Sequence, residues 1–332
     1  MRIAINGFGR IGRIFLRNAM DRPGLSVVAI NDLTDTKTLA HLFKYDSVHR
    51  GFKGTIDFDD DHLYINGHTI KVLSEADPST LPWKQLGIDL VIESTGKFTS
   101  KQGAEKHLKA GAKQVIISAP GADRGVPTVV LGVNDHSIDL QSPVLSNASC
   151  TTNNVAAMVK ILDDNWGIID GYITTVHSMT GDQSLHDAPH KDLRRARAAS
   201  ASIIPTTTGA AKAITAIFPH LEGRLGGAGI RVPVLNGSLT DFTCSLKKQP
   251  TVELINLAFK RAAEGPMKNI LEYTEDPIVS TDILGNTHSC IFDSLLTSIV
   301  GGLVKVVGWY DNEMGYSSRL ADLAEKISRL PI

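Results

Sequence analysis

The chain has 332 residues, a hydrophobic content of 42%, a charged content of 21% and a formal net charge of −1. This length allows about two domains with separate cores. The small net charge argues against bulk attraction to nucleic acid or an anionic membrane, and no apolar run approaches the roughly 18 residues of a membrane-spanning helix. Three widely spaced cysteines argue against a disulfide framework and a metal site. A strand-like run at the very N-terminus leaves no room for a signal peptide, so we expect a cytoplasmic protein.

The N-terminal segment predicts dinucleotide binding. An apolar run at 2–6 leads into the stretch 7–12, which fits G-x-G-x-x-G and is followed by apolar residues at helical spacing. Gly7 allows the tight turn, Gly9 the approach of a pyrophosphate, and Gly12 close packing of helix on strand. A second apolar run ends at Asp32, where a carboxylate can accept hydrogen bonds from both ribose hydroxyls of NAD. The alternative is a glycine-rich turn needed only for packing, but strand, helix, second strand and acid in register favour NAD.

Further elements of the first half extend the same fold. Apolar runs at 89–93 and 114–118, joined by a helical pattern at 101–110, predict a parallel sheet covered on both faces. Ligands bind such sheets in the loops after strand ends. Residues 94–96 and 118–120, including Ser118, are therefore candidate cofactor contacts, although turns before helices use the same residue types without a ligand. The segment 62–72 predicts a hairpin with an Asn-Gly turn at the sheet edge.

A single cysteine begins the second half of the chain. Apolar residues after Cys150 recur at helical spacing, which predicts a helix beginning near Cys150 with Ser149 as its cap. A thiol at a helix N-terminus is expected to favour its thiolate form. The alternative is a small buried residue without chemistry. His177, at the end of a predicted strand, could be a structural histidine or could complete a thiol–imidazole pair with Cys150.

The pattern after the cysteine helix differs from that of the first half. Strand-like runs at 172–177, 228–234, 238–246 and 303–310, with helical patterns at 210–218 and 252–263, predict an antiparallel sheet with helices on one face. We therefore expect an α/β chain, with a Rossmann-type, mostly parallel, doubly wound sheet followed by an α+β catalytic domain with a mostly antiparallel sheet. The predicted domains are 1–148 for NAD binding and 149–311 for catalysis, and an amphipathic helix at 312–332 packs back on the first domain.

Charged and hydroxyl side chains of the second half suggest a phosphate site. Arg231 interrupts an apolar strand, and a charge in that position needs a partner or a ligand. Together with Thr180 and the stretch 206–209, it could bind phosphate through a guanidinium, hydroxyls and backbone N–H groups. The basic run 190–197 is more typical of a solvated face or a subunit contact.

Taken together, these stretches resemble the phosphorylating glyceraldehyde-3-phosphate dehydrogenase family over nearly the whole chain. The resemblance is carried by residues 5–13, 146–153, 175–177, 190–197, 203–212, 231–233 and 309–313. It implies oxidation of D-glyceraldehyde 3-phosphate to 1,3-bisphosphoglycerate with NAD and inorganic phosphate, through a thioester on Cys150 activated by His177. It also implies a homotetramer, in which the loop at about 179–200 lines a neighbour's cofactor pocket.

The resemblance also implies a role for each remaining site residue. NAD contacts fall on Gly7, Gly9, Arg10, Ile11, Gly12, Asp32, Ser118 and Asn312, the last fixing the nicotinamide amide. The substrate's phosphate falls on Thr180 and Arg231, and the attacking phosphate on Ser149, Thr151, Thr208 and Gly209.

Three other functions stay open at this point. An erythrose-4-phosphate dehydrogenase of the same fold would use almost the same residues. An acyl-phosphate reductase of the semialdehyde dehydrogenase type is disfavoured by Arg231 and the threonines. A binding protein without activity is disfavoured because Cys150 and His177 are both present.

Overall fold

The computed structural model describes residues 1–123 and 125–330. The chain forms two compact units. The first consists of Met1–Val129, Asp135–Ala148 and the C-terminal segment from Ser317, and the second of Val130–Asn134 and Ser149–Tyr316. Within the described ranges, no helix has both the length and the apolar character needed to cross a membrane. Residues 331 and 332 of the predicted C-terminal helix lie outside the described residues.

The first unit is built on a mostly parallel sheet of eight strands. Its strands are β1 (Arg2–Asn6), β2 (Ser26–Asn31), β3 (Ile56–Phe58), β4 (His62–Ile65), β5 (His68–Leu73), β6 (Leu90–Glu93), β7 (Gln114–Ile117) and β8 (Val144–Ser146). The strand order is β3-β4-β5-β2-β1-β6-β7-β8, with antiparallel pairing only for β3–β4 and β4–β5 among these strands. The order reverses at β1, so the carboxyl ends of β1, β2 and β6 border one crevice, as in doubly wound nucleotide-binding sheets.

The helices of this unit begin where the sequence provides caps. They are α1 (Arg10–Met20), α2 (Thr36–Lys44), the short α3 (Trp83–Leu86) and α4 (Lys101–Lys109). The Asp35 carboxylate accepts from the backbone N–H of Thr38, and the Ser100 hydroxyl accepts from that of Gly103. Such contacts satisfy N–H groups that the first helical turn leaves unpaired.

The predicted hairpin is confirmed, but it lies inside the edge strand β3, which pairs with β4. Strands β4 and β5 pair antiparallel, and Asn66 and Gly67 between them both have positive φ, 50° and 80°. A two-residue turn with two positive φ angles matches the right-handed twist of its strands, which explains the Asn-Gly pair.

The second unit is built on a mostly antiparallel sheet, as predicted. Its strands are β9 (Ile168–Ser178), β10 (Ile204–Thr206), β11 (Leu225–Val232), β12 (Ser238–Leu246), β13 (Leu271–Thr274), β14 (Cys290–Asp293), β15 (Ser298–Val300) and β16 (Leu303–Tyr310). The order is β10-β11-β9-β12-β16-β14-β13, and β15 also pairs with β16. Two pairs, β9–β11 and β13–β14, are parallel. The first of these places Arg231 beside His177 in register.

Helices complete the second unit and the end of the chain. They are α5 (Cys150–Trp166), α6 (Ala210–Ile217), α7 (Val252–Glu264) and α8 (Met314–Ser328). From Ser317 onward α8 belongs to the first unit, where Arg22, in the turn after α1, forms ion pairs with Asp322 at 2.5 Å and Glu325 at 3.0 Å. Asn18 also donates to the Ser318 hydroxyl at 3.2 Å.

Candidate active site

The glycines of the first turn shape a site for backbone contact with a ligand. Gly7 has φ of 91°, and a Cβ there would lie 2.7 Å from the Thr95 backbone nitrogen. A Cβ on Gly12 would collide with the Gly7 carbonyl oxygen. Gly9 faces open space and caps α1 without a side-chain hydrogen bond. The turn thus leads to the N-terminus of α1, whose positive dipole end suits an anion such as a diphosphate.

Asp32 lies at the end of β2 and is held firmly by the backbone. One carboxylate oxygen accepts from the Phe8 N–H at 2.7 Å, and the other accepts from the Thr34 N–H at 3.0 Å. Gly7, Gly9 and Asp32 line a cavity of about 270 Å³, whose other walls include Ser94 and Thr95. The open helix N-terminus and the fixed carboxylate fit the diphosphate and ribose of a dinucleotide.

The other predicted cofactor residues of this unit lie around the same turn. The Arg10 guanidinium forms two hydrogen bonds with Asp46, at 2.6 and 3.1 Å. Its side chain is therefore occupied by this ion pair. Ile11 and Gly12 follow in the first turn of α1. Ser118 follows β7, and its N–H donates to the Glu93 carbonyl at 2.9 Å.

In the second unit, Cys150 is the first residue of α5, as predicted. The Ser149 hydroxyl accepts from the Thr152 N–H at 3.0 Å and contacts the Thr152 hydroxyl at 2.7 Å. This capping contact fixes where the helix begins. It therefore also fixes the direction of the Cys150 side chain.

The structure brings Cys150 and His177 together. The Cys150 Sγ lies 3.5 Å from His177 Nε2, and His177 Nδ1 lies 2.8 Å from the Ser178 carbonyl oxygen. His177 Nδ1 can donate to this carbonyl, which leaves the Nε2 lone pair facing the sulfur, or it can accept from the donor-only Arg231 guanidinium, which places the proton on Nε2. Arg231 Nη1 lies 2.5 Å from the same Nδ1 and donates to the same carbonyl at 3.0 Å. A thiol, an imidazole and a guanidinium thus share one small site.

The electrostatics of this pair differ from the sequence expectation. Burial raises the pKa of the Cys150 thiol, although Arg231 and hydrogen bonds with Thr151 act in the opposite direction. Burial and then the Arg231 charge lower the pKa of His177 from 6.5 to about 3. The backbone N–H groups of Cys150 and Thr151 at the helix start lower the thiol pKa, as expected, but burial raises it more, so the net shift opposes the thiolate. The shifts of both groups favour their neutral forms.

Sequence reasoning missed one member of the site. The Tyr310 hydroxyl, at the end of β16, lies 2.9 Å from the hydroxyls of both Thr151 and Thr175. Its ring meets the His177 ring edge to face, with centroids 6.0 Å apart. Burial raises the pKa of Tyr310, so this hydroxyl keeps its proton. The only signal in the sequence was an aromatic hydroxyl at a strand end.

Asn312 occupies a fixed position after β16. Its carboxamide oxygen accepts from the hydroxyls of Ser178 and Ser238, each at 2.9 Å, and from the Gly237 N–H at 3.2 Å. Three donors on one oxygen fix the orientation of the amide. Its NH₂ group is therefore the part directed away from these donors.

The predicted phosphate residues lie on several elements. Thr180 hydrogen-bonds to Asp182, which opposes the lowering of the Arg231 pKa by burial. Asp182 also pairs with Arg195 at 2.5 Å, so part of the basic run is neutralised within its own loop. Thr208 and Gly209 precede α6, where the Thr208 hydroxyl accepts from the Ala210 N–H at 3.2 Å.

Hydrogen bonds therefore connect only some of the predicted residues. Among the residues that the structure describes, Cys150, Thr151, His177 and Arg231 form one group, whereas Thr208 and Gly209 make no hydrogen bond to it. Within the same residues, no cluster of three or more His, Cys, Asp or Glu side chains could hold a metal ion.

Comparisons with known proteins identify the family. The family model described as the glyceraldehyde 3-phosphate dehydrogenase NAD binding domain matches residues 1–101, and that described as the C-terminal domain matches residues 149–312. A glyceraldehyde-3-phosphate dehydrogenase of Thermotoga maritima is 54% identical over 332 residues, covering 99% of each chain. One from Geobacillus stearothermophilus is 52% identical over 99% of this chain and 98% of its own. Glyceraldehyde-3-phosphate dehydrogenase 2 of Streptomyces avermitilis is 52% identical over 97% of each chain. The chain therefore belongs to the glyceraldehyde-3-phosphate dehydrogenase family, as the motifs around Gly7 and Cys150 predicted.

Proposed function

We propose that Cys150 and His177 carry out the oxidative phosphorylation of D-glyceraldehyde 3-phosphate to 1,3-bisphosphoglycerate, with NAD and inorganic phosphate. The observation that carries this proposal is the distance of 3.5 Å between the Cys150 Sγ and His177 Nε2. At this distance the imidazole can take the thiol proton as the sulfur attacks a carbonyl carbon. A catalytic thiol that is neutral at rest needs such a base beside it.

The first step joins the enzyme to the substrate. The Cys150 sulfur bonds to the aldehyde carbon, and its proton passes through His177 Nε2 to the carbonyl oxygen, giving a hemithioacetal. His177 then takes the proton back from this hydroxyl as hydride leaves the same carbon, which leaves a thioester. NAD, when bound, accepts the hydride. The Nδ1–H bond to the Ser178 carbonyl supports the imidazole while it carries the extra proton.

The second step releases the product. A phosphate oxygen bonds to the thioester carbon, and the carbon–sulfur bond breaks to give the acyl phosphate and the Cys150 thiolate. The proton that His177 took in the first step returns to this sulfur, and the proton of the attacking phosphate passes to solvent. The backbone N–H of Cys150 is free for the developing oxyanion because the first N–H groups of a helix lack intrahelical partners. The Arg231 charge, which lowers the pKa of Cys150, makes this sulfur a better leaving group.

Binding roles follow the resemblance residue by residue. Thr180 and Arg231 hold the phosphate of the substrate, since a guanidinium and a hydroxyl suit a phosphate dianion. The attacking phosphate is bound by Ser149, Thr151, Thr208 and Gly209. NAD is bound by Gly7, Gly9, Arg10, Ile11, Gly12, Asp32 and Ser118, and its nicotinamide amide is bound by Asn312. Residues 1–148 then form the NAD-binding domain with the helix at 312–332, and 149–311 the catalytic domain.

The substrate and the assembly state are supported by separate observations. The three relatives carry the name of glyceraldehyde 3-phosphate, which favours it over erythrose 4-phosphate.

In the loop after β9, Leu185, Leu193 and Ile203 are 69, 81 and 71% exposed. Apolar side chains so exposed suit a subunit interface, and we propose a homotetramer. Three unbridged cysteines are consistent with a cytoplasmic location.

An absorbance assay at the NADH band tests the function. We expect NAD reduction with glyceraldehyde 3-phosphate that requires inorganic phosphate or arsenate. Cys150→Ser should abolish it, whereas Cys244→Ser, a matched exchange at a buried strand cysteine, should retain it. Equal efficiency with erythrose 4-phosphate, or activity that survives in Cys150→Ser, would refute the assignment. Light scattering of the purified protein tests the homotetramer.

A further inference from the structure

A carboxylate and an imidazole lie fully buried in the first unit, outside every role given above. Glu93 ends β6, and His107 lies in α4; both side chains have no exposed surface. The cost of burying an ionised carboxylate is several kcal/mol unless its oxygens are well satisfied. Neither residue lines the nucleotide cavity.

Glu93 accepts four hydrogen bonds. One oxygen accepts from Asn6 Nδ2 at 2.6 Å and lies 3.0 Å from His107 Nε2. The other accepts from the Thr95 N–H at 2.9 Å and from the Thr95 hydroxyl. Every contact is a donor, which is the pattern that an ionised carboxylate requires.

The contact between His107 and Trp83 determines which imidazole nitrogen carries the proton. Trp83 Nε1–H, which can only donate, lies 3.0 Å from His107 Nδ1. His107 Nδ1 therefore accepts, and Nε2 carries the proton that it donates to Glu93. The network is directional from Trp83 through His107 to Glu93.

Two residues that donate hydrogen bonds to Glu93, Asn6 and Thr95, also line the nucleotide cavity. Asn6 Oδ1 accepts from Asn31 Nδ2 at 2.7 Å, and Asn31 is hydrogen-bonded in turn to the backbone of Glu75, at 2.8 and 2.9 Å. One carboxylate thus connects the ends of β1 and β2 with the turn after β6, and these segments form three walls of the cavity.

We propose that Glu93 is a positioning residue for NAD. It holds Asn6 and the Thr95 turn where the cavity receives the adenosine half of the cofactor, and His107 orients the carboxylate for this task. An apolar residue would fill the same buried space with less desolvation cost if only stability mattered. A carboxylate is needed because the two walls present donors to each other and require an acceptor between them.

The test compares two variants of the full-length protein. Glu93→Gln keeps the shape but directs an NH₂ group at existing donors, so we expect calorimetric binding of NAD and of ADP-ribose to weaken about tenfold. Val91→Ala is the matched control, since Val91 is buried on the same strand and belongs to the hydrophobic core cluster that contains Trp83. It should lower the melting temperature and leave both affinities within twofold.

A second pair of variants separates positioning from folding. His107→Leu removes the donor at a residue that does not itself line the cavity, and we expect NAD binding to weaken severalfold. His107→Gln restores an N–H donor toward Glu93 and should recover most of the affinity. Wild-type affinity in Glu93→Gln, an equal loss in Val91→Ala, or no difference between the two His107 variants would each overturn the proposal.

Discussion

Removal of the Tyr310 hydroxyl tests how the attacking phosphate is held. Tyr310→Phe keeps the ring against His177 but removes the oxygen that lies 2.9 Å from both Thr151 and Thr175. Thr175 retains the Leu239 carbonyl as an acceptor at 3.3 Å. Thr151, which we propose binds the attacking phosphate, loses its hydrogen bond with Tyr310, and this is the contact that orients its hydroxyl.

The size of the effect follows from these contacts. One buried hydrogen bond contributes about 1 kcal/mol, and a buried hydroxyl left without its partner costs about 1–3 kcal/mol. We therefore expect a loss of about 1–2 kcal/mol in stability. If the Thr151 hydroxyl contributes about 1 kcal/mol to phosphate binding when oriented, the KM for phosphate rises about fivefold. The KM for glyceraldehyde 3-phosphate and for NAD should change less than twofold.

Steady-state kinetics with each substrate varied in turn measures these values. Thr175→Val is the matched control, because it removes the other partner of Tyr310 and leaves the contact with Thr151 in place. It should lower the melting temperature without raising the KM for phosphate. A phosphate KM that is unchanged in Tyr310→Phe, or raised equally in Thr175→Val, would show that Tyr310 does not orient Thr151 for phosphate.

Three further variants probe the charges around the two sites. His177→Asn removes the base beside Cys150, and kcat should fall by about 10²–10⁴-fold; a kcat within threefold of wild type would contradict this role. Arg231→Met removes a charge that lowers the pKa of Cys150, so the pH profile of iodoacetamide alkylation should move to higher pH, and movement to lower pH would contradict the reasoning. For Asp46, burial raises the pKa, but hydrogen bonds from Arg10, His49 and Val48 outweigh it and lower the pKa from 3.8 to about 2. Because a lowered carboxyl pKa stabilises the fold above the unfolded value and less as pH falls from 3.8 towards 2, Asp46→Asn should cost about 1–2 kcal/mol at pH 7 in urea unfolding. That difference should narrow below pH 4, and a difference independent of pH would refute it.

Local chemistry was readable from the sequence wherever neighbours along the chain decide the structure. The Asn66–Gly67 turn and Gly7 follow from positive φ angles that few residues adopt, and the Ser149 cap follows from the hydrogen bond that its hydroxyl accepts. Neighbouring residues in the sequence are therefore enough to predict each of them.

Properties set by distant segments could not be read in this way. Arg231 lies beside His177 because β9 and β11 pair in parallel, although the two residues are 54 apart in the sequence. The Cys150 pKa was predicted from the helix start alone, but burial by the surrounding fold reverses the direction. Glu93 ends the apolar run 89–93, and its role cannot be read from that run because its hydrogen-bond donors come from segments before and after it.

The fixed carboxylate of Asp32 has a consequence for changing the cofactor. Selection against a 2′-phosphate would normally be relaxed by exchanging this residue. Here the same carboxylate ties down the Phe8 N–H inside the glycine turn and the Thr34 N–H beyond β2. Discrimination and turn geometry are therefore one feature, so Asp32→Gly should weaken the binding of NAD and NADP together. An engineered switch needs a second substitution that supplies a new acceptor for Phe8 before it supplies a cation for the phosphate.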